Sequence, residues 1–339
     1  MNHRKTEVRH QKSDKKYMSL PVLCLLISVF FFLFPFVDQS AYHLDVLTTA
    51  GIYILLALGL NIIVGYAGLL HLGYAAFFAI GAYTYASLNI AYGVPFWAAI
   101  PIAAIVSCIC GFLVGLPVLR VKGDYLAIVT LGFGEIVRIV FNNLDPITGG
   151  PNGLLGIDNP AIVYPVFENG LVWKKFDFGV QSWPYYFLVL ISVVLIAYFS
   201  LRLDHSRVGR AWIAVREDEV AAGCMGIPVP QMKLLAFGVG SAIAGIAGTI
   251  YAAKQGSVTP DSFDFILSVM ILAMVVVGGM GSVLGVILGG LVLSILPELL
   301  REFSIYRMLI FGLLMILMMI FRPQGFLGNV RRKYELTQR

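Results

Sequence analysis

RLDHSRVGRAWIAVREDEVAAGCMGIPVPQMK, residues 202–233, is the polar interruption whose reading decides the fold. Long apolar runs lie on both sides of it. It opens with Arg202, Asp204, His205, Arg207 and Arg210. Each charge of this kind costs about 2.5–3.5 kcal/mol at the centre of a membrane helix, so the segment belongs in water. After Gly209 no Pro or Gly occurs until Gly223, which predicts one helix over 209–222. On that helix Val208, Ala211, Trp212, Val215 and Ala222 share an apolar face, with Arg210 and Glu217 opposite. Glu219 intrudes on the apolar face. Gly223, Gly226 and Pro228 stop the helix. Two readings fit: a surface helix that docks into another protein, or a loop joining two spans.

The flanks identify the surroundings. Hydrophobic residues make up 59% of the 339 residues and charged residues 13%, with a mean hydropathy of +0.85. A soluble domain carries roughly a quarter charged residues. The chain is therefore an all-α polytopic membrane protein. The 35 glycines suit close helix packing in lipid. The net charge of +5 does not point to nucleic acid, because the basic residues cluster in particular loops. Cys24, Cys108, Cys110 and Cys224 form no secreted disulfide pattern.

Apolar runs at 20–37, 44–64, 68–91, 95–118, 124–141, 184–201, 233–253, 265–281, 283–300 and 305–321 predict about ten transmembrane helices. The glycine-rich splits at 65–68 and 278–281 let eight to eleven fit. A basic tail, 1–19, precedes the membrane domain, 20–322, and a second tail, 323–339, follows it. With the N-terminus inside, 18 of the 24 Lys and Arg residues fall on the cytoplasmic side, so both termini are expected in the cytoplasm. That places 142–183 outside and 202–233 inside. The outer loop carries TGGPNGL at 148–154 and reads as a connector or a cap with a short helix or hairpin.

Small residues recur at four-residue spacing: Gly240, Ala244, Gly248, then Gly281, Gly285, Gly289. Packing within the chain is the simpler use, and a dimer seam the alternative. A faint likeness between GYAAFFAIGAYTYA (73–86) and GSAIAGIAGTIYA (240–252) suggests a two-fold internal repeat.

Catalytic signatures do not appear. No Gly-Lys pair occurs, so there is no ordinary P-loop, and neither H-E-x-x-H nor G-x-S-x-G is present. The histidines His3, His10, His43, His71 and His205 have no metal-ligand spacing, and no metal is expected. Asp261 and Asp264 read as a solvated loop. Glu135 and Arg138, three apart within a span, read as a pathway element or as a self-neutralising pair. Asn61 and the Gly65-Tyr66-Ala67-Gly68 break are candidates to line a pathway, because a broken helix frees backbone groups to hold a zwitterion. The chain reads as a conduit without an engine.

The stretch GRAWIAVREDEVAAGCMGI (209–227) resembles the cytoplasmic coupling segment of permeases in binding-protein-dependent ABC importers. More narrowly, the chain resembles the branched-chain amino acid permeases of the LivM type. GLNIIVGYAGLLHLGYAAFFAIGAY (59–83), VKGDYLAIVTLGFGEIVRIV (121–140), TGGPNGL and VGGMGSVLGVILG (277–289) carry that resemblance in order. It implies a pore subunit in the bacterial inner membrane that pairs with a sister permease. Two cytoplasmic ATPases would drive it and a periplasmic binding protein would deliver substrate. The chain would bind no cofactor, ATP and Mg²⁺ belonging to the partners. Gly209, Arg210, Ala211, Trp212, Val215, Arg216, Glu217, Ala222, Gly223 and Gly226 would form the coupling element, with Trp212 and Val215 anchored in an ATPase groove. One departure concerns the stretch after the Gly-Tyr-x-Gly pattern, where the family commonly has Gln, Ser and His. Here it reads Leu69, Leu70, His71, Leu72, Gly73, Tyr74. Urea or short amides therefore stay open as substrates beside branched-chain amino acids. A stand-alone carrier or channel is the alternative from another class, and an integral membrane enzyme is remote.

Overall fold

The computed structural model describes residues 40–299, apart from 120, 122, 168–170 and 180, together with Pro35 and scattered residues of 312–326. The helices are α1 (Ala41–Leu60), α2 (Ala75–Tyr92), α3 (Phe96–Val118), α4 (Asp124–Asn143), α5 (Asp145–Thr148), α6 (Ser182–Asp204), α7 (Arg207–Glu217), α8 (Glu219–Cys224), α9 (Val229–Gln255), α10 (Phe265–Gly278) and α11 (Val283–Leu299). A π-helical turn, Asn61–Tyr66, continues α1 directly. Among the described residues, six stretches are long and apolar enough to cross a membrane: Ala41–Tyr66, Phe96–Pro117, Tyr125–Asn143, Ser182–Asp204, Val229–Gln255 and Pro260–Gly278. Eight of the apolar runs read from the sequence coincide with helices. The runs 20–37 and 305–321 lie largely outside the described residues.

Both glycine-rich splits are real breaks. The chain leaves helix at Tyr66 and resumes it at Ala75, so the second run starts later than its hydropathy suggests. It leaves again at Gly278, and Gly279 and Gly281 take φ values of 111° and 87°, conformations open to residues without a Cβ.

The bundle is built around α9, which packs on α2 and α3 at backbone distance. A Cβ on Gly81 would lie 2.4 Å from the Gly245 backbone, and one on Gly248 would lie 2.3 Å from the Phe78 carbonyl. The two stretches that share a faint likeness are therefore facing partners. The small-residue rows work inside the chain: Gly240 seats Ile63, Gly285 abuts Gly278, and Gly289 abuts Met274. Large residues close the space that glycines leave. Tyr74, Phe77, Phe78, Tyr85 and Phe237 are all buried, and the Tyr74 hydroxyl donates to the Gly240 carbonyl at 2.7 Å.

The segment 142–183 holds α5, the strand β1 (Leu154–Leu155) and an antiparallel hairpin of β2 (Ala161–Phe167) and β3 (Leu171–Asp177). β1 pairs with β4 (Ser257–Val258), just after α9, with Leu154 opposite Val258. TGGPNGL is the hinge of that arrangement. Gly149, Gly150 and Gly153 have positive φ, and a Cβ on Gly153 would lie 2.0 Å from the Val258 carbonyl.

Candidate functional site

The polar segment forms two helices rather than one. Ser206 caps α7, accepting from the Gly209 amide at 3.1 Å. Gly209 presses on the end of α6, where a Cβ would lie 2.2 Å from the Leu203 carbonyl. Asp218 then breaks the helix with extended backbone and caps α8, accepting from the Val220 and Ala221 amides at 2.8 and 3.0 Å. The single helix expected over 209–222 is thus corrected: an Asp that bonds forward competes with helix continuation. Hydrogen bonds from Ala221 and Val220 hold the Asp218 carboxyl below its ordinary range. The cap is complete above the ordinary carboxylate pKa and is lost as pH falls through the lowered one. Asp218→Ala should fray α8, read as faster hydrogen exchange at the Val220 and Ala221 amides with protection in α9 unchanged.

The break explains Glu219. Read on one helix it spoiled the apolar face; at the start of α8 it meets Lys233 in α9, Nζ to Oε1 at 2.5 Å. Lys233 is buried. Gly223 has open space around it, and Gly226, at φ 81°, turns the chain out of α8.

The expected anchors need correction. Trp212 and Val215 are 0% and 2% exposed and pack within this chain. The Trp212 indole donates to the Met232 carbonyl at 2.7 Å. Ala222 is buried and Ala211 half-buried, whereas Arg210 and Glu217 face outward and Arg210 donates to the His205 carbonyl at 2.9 Å. The apolar side chains left free are Val220, 70% exposed, and Met225, 83% exposed. An amphipathic pattern says which face is apolar, not whether its cover comes from the same chain.

The candidate pathway residues divide into two groups. Asn61, Gly65 and Tyr66 are buried in the π-helical turn, and Gly68 is exposed beside it with φ 71°. Such turns are rare and concentrate at functional sites. Asn61 Oδ1 accepts from the Gly281 amide at 2.8 Å, while its Nδ2 has no hydrogen-bond partner among the described residues. The Tyr66 hydroxyl donates to the Ser200 carbonyl at 3.4 Å. Arg216 reaches in from α7 and donates to the Gly65 carbonyl. The second group lies along α4. Glu135 shares a narrow crevice with Leu72, Gly73, Ala76, Phe263 and Ser268. It accepts from Arg138 at 3.0 Å, and Arg138 also meets Asp261 at 3.6 Å. Asp264 caps α10, accepting from the Leu267 amide at 2.9 Å. His71 is fully buried among Tyr74, Phe77 and Phe237, at ring separations of 6.0, 5.4 and 5.4 Å, and neither ring nitrogen has a hydrogen-bond partner among the described residues. Asn61 is not among the residues lining the crevice that holds Glu135.

Apolar helices of membrane length, broken at two glycine-rich points and fitted with a polar two-helix handle, define an all-α polytopic membrane protein. The family described as branched-chain amino acid transport system / permease component matches residues 42–319. The chain belongs to this family. Its similarity to the high-affinity branched-chain amino acid transport system permease protein LivM of Salmonella typhimurium is 49% identity over 310 residues, 88% of this chain and 72% of that one. The LivM protein of Escherichia coli K12 is likewise 49% identical, over 86% of this chain and 71% of that one. The LivH permease of Escherichia coli K12 is 30% identical over 149 residues, 43% of this chain and 46% of that one. No solved structure matches.

Proposed function

We propose that this chain is the transmembrane permease subunit of an ATP-driven importer of branched-chain amino acids. The observation that carries the reading is 49% identity to two LivM permeases over most of the chain. In this reading the chain catalyses nothing itself. Two ATPase subunits bind ATP and Mg²⁺ in the cytoplasm, a sister permease of the LivH kind completes the pore, and a periplasmic binding protein delivers the substrate. α7 and α8 face the cytoplasm, both termini lie there, and 142–183 faces the periplasm. The charge bias of the loops supports that orientation. The exposed apolar side chains of Val220 in α8 and Met225 at its C-terminal cap supply the contact with an ATPase. ATP binding then acts as a lever, shifting the balance between inward-open and outward-open states.

The test is uptake of labelled leucine into proteoliposomes holding both permeases and both ATPases, with the binding protein added. Uptake should require ATP and the binding protein, and deletion of 209–226 should abolish it while leaving the chain in the membrane. Leucine flux through this chain alone would reject the reading. Uptake of urea but not leucine would move the substrate to the short amides.

Orientation has its own probe. Cys224 is exposed on α8. A membrane-impermeant maleimide should label it in inverted vesicles and not in intact spheroplasts, with Cys224→Ser as the control. Labelling in intact spheroplasts would overturn the assignment.

A further inference from the structure

Three discontinuities in this fold are joined in series. The first is the α7–α8 handle, the second the π-helical turn Asn61–Tyr66, and the third the glycine link between α10 and α11. Arg216, in the last turn of α7, donates to the Gly65 carbonyl in the π-helical turn. Asn61, in the same turn, accepts from the Gly281 amide in the glycine link at 2.8 Å. The glycines make both contacts feasible. A Cβ on Gly68 would lie 2.6 Å from Arg216 Cγ, and one on Gly65 would lie 2.1 Å from Asn61 Oδ1 and 2.6 Å from the Gly281 nitrogen. The arginine stem therefore lies flat across Gly68, and its head sits on a backbone carbonyl. The rest of the handle is tied to α9, through Trp212 to the Met232 carbonyl and through Glu219 to Lys233.

We propose that Arg216 is a positioning residue that transmits movement of the handle to the π-helical turn and, through Asn61, to the glycine link. The proposal rests on the importer reading above. The α9 ties hold the handle on the bundle, whereas the Arg216 tie leads to the two places where backbone is already out of regular helix. A π-helical turn has already left the i→i−4 register, here with the Ala67 amide donating to the Ile62 carbonyl, and such turns are frequent at functional sites. Arg216 suits the task because its planar guanidinium cannot lose its proton and presents donors in a fixed plane.

The test uses the complete reconstituted complex and reads leucine uptake and ATP hydrolysis together. Arg216→Ala should keep assembly and ATP hydrolysis, and should lower leucine imported per ATP by about tenfold, within the range of ordinary coupling energies. Arg216→Lys, which keeps a donor on a flexible stem, should recover part of that yield. A merely structural role for Arg216 predicts that assembly, hydrolysis and uptake fall together, with the yield per ATP unchanged and no recovery specific to Arg216→Lys. Arg216→Ala transporting with an unchanged yield per ATP overturns the proposal and leaves the importer reading standing. Failure of the unsubstituted chain to assemble with any ATPase overturns both.

Discussion

On the importer reading, Val220→Asp and Met225→Asp are expected to detach the chain from the proposed ATPase while leaving it folded in the membrane. Val220 stands out from α8 and Met225 from its C-terminal cap, 70% and 83% exposed, so neither holds this chain together. A minority of interface residues are hot spots, and losing one of those costs about 2 kcal/mol or more. A carboxylate there adds the cost of burying an unpaired charge. Affinity should fall by about thirtyfold or more for either substitution, since each 1.4 kcal/mol is worth about tenfold. The measurement is ATPase binding in detergent, with the unfolding midpoint of the permease alone beside it. The midpoint should not move. Trp212→Ala gives the opposite signature, because Trp212 is wholly buried and bonded to Met232. It should destabilise the handle itself and lower the midpoint. Unaltered ATPase affinity in both aspartate variants would remove α8 from the docking surface.

That pair of residues also shows where sequence reading stops. The membrane class was legible, because the positions of apolar runs depend only on local composition and the length needed to cross lipid. The breaks after Tyr66 and at Gly278 were legible as glycine clusters. The handle was legible as polar chain between spans, but its inner and outer faces were not. Trp212 and Val215 form an apolar stripe whether the cover is an ATPase groove or the body of this chain. Asp218 carried a usable signal, a capping residue ahead of Glu219 and a short apolar run, which marks a new helix. Lys233 carried none. A lysine at the start of a span reads as an interface residue, and its burial follows from Glu219 approaching across the turn. The pairing of Arg216 with Gly65, far apart in the chain, is a property of tertiary packing alone.

The close approach of α2 and α9 leads to the second large effect, on stability rather than coupling. Gly81→Val should prevent stable folding or lower the unfolding midpoint sharply. A Cβ at that position would lie 2.4 Å from both the Gly245 Cα and its carbonyl oxygen. Backbone atoms cannot move aside by changing rotamer, so the two helices must separate. Separation undoes the neighbouring contact of Gly248 with Phe78 and Ala82 and loosens the burial of Phe77, Phe78 and Phe237. Overpacking a core typically costs about 1–3 kcal/mol, and a contact between two backbones belongs at about the top of that range. Lipid offers no hydrophobic compensation, because helix association inside a membrane depends on such packing. Gly132 provides the internal comparison. It lies within α4, and a Cβ there meets nothing within 4 Å. Gly132→Ala should be neutral or gain up to about 1 kcal/mol from helix propensity alone. Unfolding midpoints of the two variants in one detergent should therefore separate, Gly81→Val falling and Gly132→Ala holding or rising. Equal midpoints would mean that α2 and α9 do not touch as closely as the glycines require, and the helix pair would lose its place as the centre of the bundle.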